Sequence, residues 1–191
     1  MRIDGRFTYL DNHTLANLDT MYKWSQDKDL ISLEGGSLKN IIYDKDQYKE
    51  YVMASFIENN HEANSCYCHF GIYSKSNHEL VGYLDFQNID FEKMESELSL
   101  SIPDLDKRNR LYGFDSFLNA LKYAFEIRKL RTIIIQTRVT NNTVLRIAEK
   151  LGLESNKSSI IQDGEKIELV KYLIKKDDYL IIRNLTTAST G

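Results

Sequence analysis

The period of the hydrophobic pattern changes several times along the chain, and the order of these changes restricts the fold more than any other feature. Helical spacing occurs twice near the N-terminus, alternation follows three times, and the second half places single helices between strands. With a short opening strand at residues 6–10, the predicted order is βααβββαβαββ. This order excludes all-helical and sandwich folds and predicts a mixed α/β fold.

The first half contains two predicted helices and three further strands. Apolar residues recur at helical spacing over residues 15–26 and 45–59. The pattern then alternates over residues 66–74, 79–89 and 95–102, with the turn KSNH between the first two of these strands. We therefore expect the strands of this half to pair antiparallel.

The second half alternates helices and strands. Residues 112–128 carry the clearest amphipathic stripe in the chain, and the apolar strand 131–139 is expected near the centre of the sheet. Asn141 is expected to cap a helix that ends at Gly152. The pair Asp-Gly at 163–164 predicts a hairpin between the last two strands.

Length and composition predict an ordinary single domain. The chain has 191 residues, of which 42% are hydrophobic and 28% charged, so disorder over most of its length is excluded. We expect one domain over residues 1–180 and a polar C-terminal tail over residues 181–191. The net charge of −3 gives little attraction to phosphate, so we expect no DNA partner.

Two cysteines, Cys66 and Cys68, are too few for a disulfide framework. They alternate within a predicted strand, so both thiols are expected to be buried on one face. A metal site would need further ligands, and only His61 and His69 lie nearby, so none is predicted. The chain shows no signal peptide and no apolar run of membrane-spanning length, so we expect a cytoplasmic protein that does not enter membranes.

A basic loop precedes the amphipathic helix that starts at residue 112. Lys107, Arg108 and Arg110 supply cations next to the helix N-terminus, where free amides and the helix dipole favour anions. A phosphate or pyrophosphate is the natural ligand for this combination. The alternative is an exposed polar turn with solvated charges.

The stretch from Glu97 to Leu153 resembles the GNAT acyltransferase superfamily, especially its RimJ/RimL-like branch of N-acetyltransferases. The similarity lies in RNRLYGFDS, LKYAFEIRKLR and TNNTVLRIAEKLGL, and in the preceding hairpin FGIYSKSNHELVGYLDF with Gly82. It implies the fold of that superfamily, in which a mostly antiparallel sheet flanked by helices splays open at the cofactor site. It also implies transfer of an acetyl group from acetyl-CoA to a primary amine by direct attack in a ternary complex.

The resemblance further implies a binding site for acetyl-CoA. The loop would hold the pyrophosphate, the strand before it would pair with the pantetheine arm, and Asn141 would hydrogen-bond that arm. Helix capping is the alternative role for Asn141. The implied residues are Leu100, Ser101, Ile102, Arg108, Asn109, Arg110, Leu111, Tyr112, Gly113 and Asn141.

Three positions bear on the chemistry. Leu111 stands where the family loop normally has glycine, and Ala148 stands where many relatives place a tyrosine that protonates the leaving thiolate. Glu97 matches the family's strand glutamate and is the candidate general base, because an ammonium group must lose a proton before its nitrogen can attack. The alternative is that Glu97 is a polar strand residue facing solvent.

Two groups of residues bear on the acceptor. The segment LDFQNIDFEKMESE contains five carboxylates and a single lysine, Lys93; the carboxylates are Asp85, Asp90, Glu92, Glu95 and Glu97. This segment either attracts a cationic acceptor, such as a polyamine, an aminoglycoside or a protein N-terminus, or is a solvated hairpin. Aromatic residues of the first third either line an acceptor pocket or form core; these are Tyr9, Tyr22, Trp24, Tyr48 and Tyr51.

The sequence leaves three functions open. The leading one is an N-acetyltransferase acting on a small-molecule amine or a protein N-terminus, as a monomer or a homodimer. Leu111 motivates the alternative of a GNAT-like domain without catalysis that serves as a binding or regulatory module. Transfer to an aminoacyl-tRNA is the third, and the acidic net charge counts against it.

Overall fold

The computed structural model describes residues 1–33, 38–58, 65–108, 111–162 and 164–188. The strands are β1 (Ile3–Asp4), β2 (Thr8–Asp11), β3 (Cys68–Ser74), β4 (Leu80–Asp90), β5 (Glu95–Ser101), β6 (Thr132–Arg138), β7 (Ser155–Gln162) and β8 (Glu165–Lys175). The helices are α1 (Leu18–Ser25), α2 (Lys28–Leu33), α3 (Lys45–Val52), α4 (Leu105–Arg108), α5 (Tyr112–Lys122), α6 (Asn142–Lys150) and α7 (Lys176–Ala188).

The described strands form a sheet in the order β1-β2-β3-β4-β5-β6-β8-β7. Neighbouring strands run antiparallel, except that β5 and β6 run parallel. The predicted α/β fold with a mostly antiparallel sheet is therefore confirmed, and β6 occupies the interior position expected from its apolar sequence. The hairpin between β7 and β8 is also confirmed, with Gln162 opposite Glu165.

One face of the sheet carries the larger core. Helix α5 and the π-helical turn after it, Tyr123–Ile127, bury Leu121 and Phe125 against strand residues that include Phe70, Phe86 and Ile133. Each such side chain contributes about 1.5–3 kcal/mol when it is fully buried. Because this core holds α5 against the sheet, it also fixes where the N-terminus of α5 lies.

The N-terminal helices cover the other face. Helix α1 contributes Met21 and Trp24, and α3 contributes Tyr48 and Val52, to a second cluster on the sheet residue Tyr73. Helix α3 is capped by its preceding residue, the Asp44 side chain accepting from the Gln47 amide, and continues as the π-helical turn Met53–Glu58. This layer encloses a cavity over β4, described below.

The predicted C-terminal tail is wrong over residues 181–188. These residues belong to α7, in which Tyr179 and Ile182 are buried against the core, with Ile182 only 2% exposed. Their spacing of three residues is helical, which the small polar residues at the end of the chain obscured. Residues 189–191 lie outside the described residues.

The predicted burial of both cysteines is also wrong. Strand β3 begins at Cys68, so Cys66 lies before it and outside the alternation. Cys68 is buried and Cys66 is exposed. Only Cys68 therefore behaves as a core thiol.

Candidate functional site

The sheet opens between its two parallel strands. β5 and β6 pair from Glu95 and Thr132 to Glu97 and Ile134. Beyond that point β5 continues on β4 as far as Ser101, whereas β6 continues on β8. The two strands therefore part after Glu97, as the resemblance implied. Among the described strands, none pairs with the edge of β5 that faces β6 over residues 98–101.

Leu111, the last residue of the loop before α5, has a strained backbone conformation. Leu111 has φ 63° and ψ 3°, the left-handed conformation that glycine adopts most easily, and its side chain is 60% exposed. Leu111 thus adopts a backbone conformation that suits glycine, and its side chain is largely exposed. No side chain caps the start of α5 among the described residues, and a helix start is a place where backbone amides can bind an anion.

Two of the predicted loop cations are engaged by the protein itself. Arg108 donates to the carbonyl oxygens of Ile102 at 2.8 Å and Pro103 at 3.1 Å. Lys107 binds Glu79 and lies 3.2 Å from Asp104. Partial burial opposes its charge, yet these hydrogen bonds raise the pKa of Lys107 overall. Both side chains therefore hold the loop in shape; Asn109 and Arg110 lie outside the described residues.

The predicted residues on β5 and α5 lie at the mouth of the cleft. Ser101 and Ile102 are buried, Leu100 packs against the larger core, and a Cβ on Gly113 would lie 3.7 Å from Ile102. The side chain of Tyr112 is buried, with its hydroxyl 3.3 Å from Ser74 Oγ, so only its backbone faces the loop. These residues present main-chain groups to the cleft rather than side chains.

Gly82 explains how closely β4 approaches β5 at this point. A Cβ on Gly82 would lie 2.2 Å from the backbone oxygen of Ser101, far inside contact distance. Only glycine is compatible with this approach.

Asn141 caps helix α6, which confirms the prediction made from its position. Its side-chain oxygen accepts from the Val144 amide at 3.4 Å, and its amide nitrogen donates to Thr137 Oγ1 at 3.0 Å. Ala148 is buried against Val170 and Tyr172, so this position supplies no acid. Asn141 lies just past the end of β6, on the far side of the cleft from α5.

Glu97 occupies the last paired position before the strands part. It is half-buried and stands opposite Gln87 on β4 and Ile134 on β6. Leu98 and Leu100 point to the larger core, so alternation places Glu97 and Ser99 on the face covered by the N-terminal helices. Arg138, at the end of β6, is a cation that sequence reasoning missed; its Nε is buried without a hydrogen-bond partner among the described residues.

A cavity of about 440 Å³ lies on that same face. Its lining comes mainly from α1, α2, α3 and β4, together with His13, residues 40–42 and Phe56, and is mostly aromatic and aliphatic. Tyr83 and Asp85 form the part contributed by the sheet, and Trp24, Tyr48, Tyr51 and Phe56 form walls. Asp85 stands opposite Ser99 in the β4–β5 register, so the cavity lies one strand away from the unpaired edge of β5.

Asp85 is the centre of a polar cluster in this cavity. His69 Nδ1 donates to Asp85 Oδ1 at 2.6 Å, and both side chains are largely buried. His13 lines the cavity beside this pair, and burial lowers the pKa of His13 to about 4, although the charge of Asp85 acts in the other direction. The histidine is therefore neutral at neutral pH. Sequence reasoning assigned no role to His13 or His69.

The acidic segment divides between two roles. Lys93 lies 3.1 Å from Asp90 and 3.7 Å from Glu95, and Asp90 also accepts from the backbone amides of the following turn. These carboxylates therefore belong to a local hairpin, as one alternative held. Asp85 is the member of the segment that lines the cavity.

The aromatic residues of the first third divide in the same way. Trp24, Tyr48 and Tyr51 line the cavity. Tyr9 stacks on Tyr73 with ring centroids 5.2 Å apart, and the Tyr22 hydroxyl donates to the Tyr43 carbonyl. The pocket interpretation therefore holds for the first group, and Tyr9 is core.

The described ranges contain neither a metal-binding cluster nor a membrane-spanning helix. Across the described ranges, no group of three or more His, Cys, Asp or Glu side chains is arranged to hold a metal ion. His61 lies outside those ranges. Within them, no helix combines the length and apolar character needed to cross a membrane.

Known proteins resemble this chain in sequence and fold. A family model described as an acetyltransferase (GNAT) domain matches residues 8–154. A spermidine N-acetyltransferase from Vibrio cholerae, solved in complex with CoA and spermine, is 16% identical, with a TM-score of 0.75 over 91% of this chain and 98% of that one. An acetyltransferase (GNAT family) from Bacillus anthracis is 17% identical, with a TM-score of 0.72 over 93% and 99%.

A structure described as a probable acetyltransferase is 16% identical, with a TM-score of 0.77 over 93% of this chain and 98% of that one. No curated protein matches the chain. At these identities the solved structures show a shared fold, whereas the family match spans more than half of the sequence.

Proposed function

The chain belongs to the acetyltransferase (GNAT) family, and on that basis we propose that it is an N-acetyltransferase that moves an acetyl group from acetyl-CoA to a primary amine. The acceptor we favour is a small-molecule amine. The solved relative that carries CoA and spermine supports both halves of this proposal by its fold. Within the family we favour the RimJ/RimL-like branch, because the sequence segment AEKLGL and the buried Ala148 fit it.

One observation carries the proposal: strand β5 separates the cleft from the cavity. One edge of β5 faces the cleft and β6, and its other edge pairs with β4, which carries the cavity residue Asp85. The unpaired edge of β5 offers amides and carbonyls to the amides of a pantetheine arm, and the start of α5 offers amides to a pyrophosphate. The amine would enter from the other side, through the cavity. Two substrates held across one strand are suited to direct attack.

The step balances without a further reactant. The amine nitrogen forms a bond to the thioester carbonyl carbon, the carbon–sulfur bond breaks, and the thiolate leaves and is protonated to free CoA. The incoming ammonium first gives up one proton, and a second leaves the nitrogen as the amide forms. The products are an N-acetyl amine, CoA thiol and one net proton.

Glu97 is the residue we assign to removal of the amine proton. It stands where β5 and β6 part, on the same face as the cavity, and its register places it diagonal to Asp85, about 7–8 Å away. An amine bound beside Asp85 on the side of the cleft comes within reach of the Glu97 carboxylate, directly or through one water. A hydrogen-bond donor for the developing oxyanion would come from the unpaired amides of β5.

Release of CoA thiol with a panel of primary amines tests the function. We expect acetyl-CoA consumption that depends on amine, and a loss of about a hundredfold in kcat for Glu97→Gln at neutral pH. Glu92→Gln, which removes an exposed carboxylate from the neighbouring turn, is the matched control and should leave kcat unchanged. Wild-type rates in E97Q would contradict the role of Glu97, and no consumption with any amine would contradict the function.

The compartment we propose is the reducing cytoplasm. Cys66 and Cys68 carry thiols rather than forming a disulfide, Cys66 being exposed and Cys68 buried. Cysteines kept as thiols suit a reducing environment. Fractionation of cells that express the chain tests this proposal.

A further inference from the structure

The cavity next to the cleft has apolar walls. Trp24 and Tyr83 lie with ring centroids 5.9 Å apart, and Tyr51 lies edge-on to Phe56 at 5.5 Å. The polar atoms of Trp24 and Tyr48 already have hydrogen-bond partners. Trp24 Nε1 donates to Asp104 at 3.3 Å, and the Tyr48 hydroxyl donates to the Met21 carbonyl at 3.1 Å. These side chains therefore present ring surface to a ligand.

Asp85 is the charged group in the part of the cavity lining that the structure describes. Among the described residues that line the cavity, Asp85 is the carboxylate, and the remaining lining is aromatic, aliphatic or uncharged. Asp90 and Glu95 of the acidic segment pair with Lys93 in the hairpin turn, and Glu97 lies on β5 outside the described lining. A ligand with one positive charge finds a partner here, whereas each additional ammonium group buried in this lining would lack one.

A second polar atom beside Asp85 lacks a partner. His13 Nδ1 is buried and makes no hydrogen bond with any described residue, and His13 itself is only 3% exposed. The imidazole of His13 is neutral, so one of its ring nitrogens donates a hydrogen bond and the other accepts one. Buried polar atoms are almost always paired, so a missing ligand is the natural partner.

We propose that this cavity binds a primary amine with a single ammonium group on an apolar, aromatic body, of the arylalkylamine class. Asp85, held by His69, binds the ammonium, and His13 Nδ1 supplies a further hydrogen bond to the ligand. The aromatic walls enclose the body of the ligand and attract the cation through their ring faces. This inference rests on the proposed function, because it names the acceptor for that reaction and opposes a polyamine as the preferred acceptor.

Two assays on the full-length protein test the assignment, with 2-phenylethylamine and spermidine as the probes. CoA thiol release should give a kcat/KM at least about tenfold higher for 2-phenylethylamine than for spermidine, because a single unpaired buried charge costs more than a tenfold factor. Calorimetric titration of the protein with each amine should show the same preference in affinity. Equal or better values for spermidine would overturn the assignment while leaving acetyl transfer intact.

Asp85→Asn tests the named group. We expect it to weaken 2-phenylethylamine binding by about tenfold or more, since it removes a charge-assisted partner, while acetyl-CoA affinity stays within about twofold. The unchanged cofactor affinity shows that the variant is folded, and Glu92→Gln is the control for lost charge. Wild-type amine affinity in D85N would contradict the proposal. Amine binding without turnover would support the ligand class and contradict the proposed function.

Discussion

The carboxylate of Asp115 binds Thr8 twice, accepting from its backbone amide at 2.8 Å and from its hydroxyl at 2.6 Å. The amides of Arg6 and Phe7 donate to the same carboxylate at 2.9 and 3.0 Å. Asp115 is buried in the first turn of α5, and residues 6–8 lead into β2. This cluster therefore ties one end of the sheet to the helix whose N-terminus borders the cleft.

Replacing this carboxylate should destabilise the whole domain. Asp115→Asn puts a donor where three amides and a hydroxyl donate, leaving buried groups unpaired at about 1–3 kcal/mol each. We expect a loss of about 3 kcal/mol in the free energy of unfolding, measured by urea denaturation. Asp29→Asn, at an exposed helical position, should change it by less than about 0.5 kcal/mol. Equal stabilities of the two variants would contradict the assigned role of Asp115.

The buried neutral His13 makes stability depend on pH. Its pKa falls from 6.5 to about 4 because burial disfavours the charge, an effect that the nearby His69 reinforces and Asp85 opposes. Between these two values the unfolded chain binds the proton and the folded chain does not. This contribution to stability is present above pH 6.5 and is lost as pH falls toward 4, by about 3 kcal/mol at most.

Comparison of the wild type with His13→Gln measures this effect. The change in unfolding free energy between pH 7 and pH 4.5 should be smaller in H13Q by about 2–3 kcal/mol. Each protein is its own reference, so a loss of stability common to both pH values does not affect the result. Identical pH dependence in the two proteins would show that His13 is not buried in its neutral form.

Leu111 stores backbone strain at the start of α5. A leucine at φ 63° costs about 1–2 kcal/mol relative to glycine, and its exposed side chain returns little through burial. Leu111→Gly should therefore raise the free energy of unfolding by about 1 kcal/mol. Leu105→Gly is the matched control: that leucine is 74% exposed within α4, and its replacement should lower stability by about 1 kcal/mol. A loss of stability in both variants would show that the backbone at Leu111 is not strained.

The two thiols should react at very different rates. Burial raises the pKa of Cys68 to about 11, against the effect of its hydrogen bond with Tyr123, whereas Cys66 is exposed. Because the thiolate is the reactive form, a thiol reagent should modify one cysteine in the native protein and both after unfolding. Cys66→Ser should abolish the fast reaction. Rapid modification of both cysteines in the native state would show that β3 opens readily.

Local patterns predicted much of the fold and part of the site. The cap at Asn141, the stripe on α5 and the alternation around Glu97 involve residues close together in sequence, so periodicity and capping rules apply directly. The only sequence signal for the left-handed conformation of Leu111 was its position, where the family loop normally has glycine. The small polar residues at the C-terminal end of the chain concealed α7, since its burial depends on a core that the segment itself does not show.

The remaining features depend on contacts between distant parts of the chain. Thr8 and Asp115 are 107 residues apart, and the cavity joins His13 to residues of α3 and β4. No single segment carries a signal for such a cluster, because each member has an ordinary local role. Asp85 stood out only as one of five carboxylates, and its pairing with His69 required the register of β3 and β4.

Calorimetric titration of the purified protein with acetyl-CoA, and in parallel with plain CoA, tests the central claim most directly. The account predicts binding of both molecules at one site, in the micromolar range typical of enzyme substrates, since the cleft and the start of α5 bind the shared CoA portion. An absence of binding at millimolar acetyl-CoA would contradict the account, because the opening between β5 and β6 would then have no cofactor to hold.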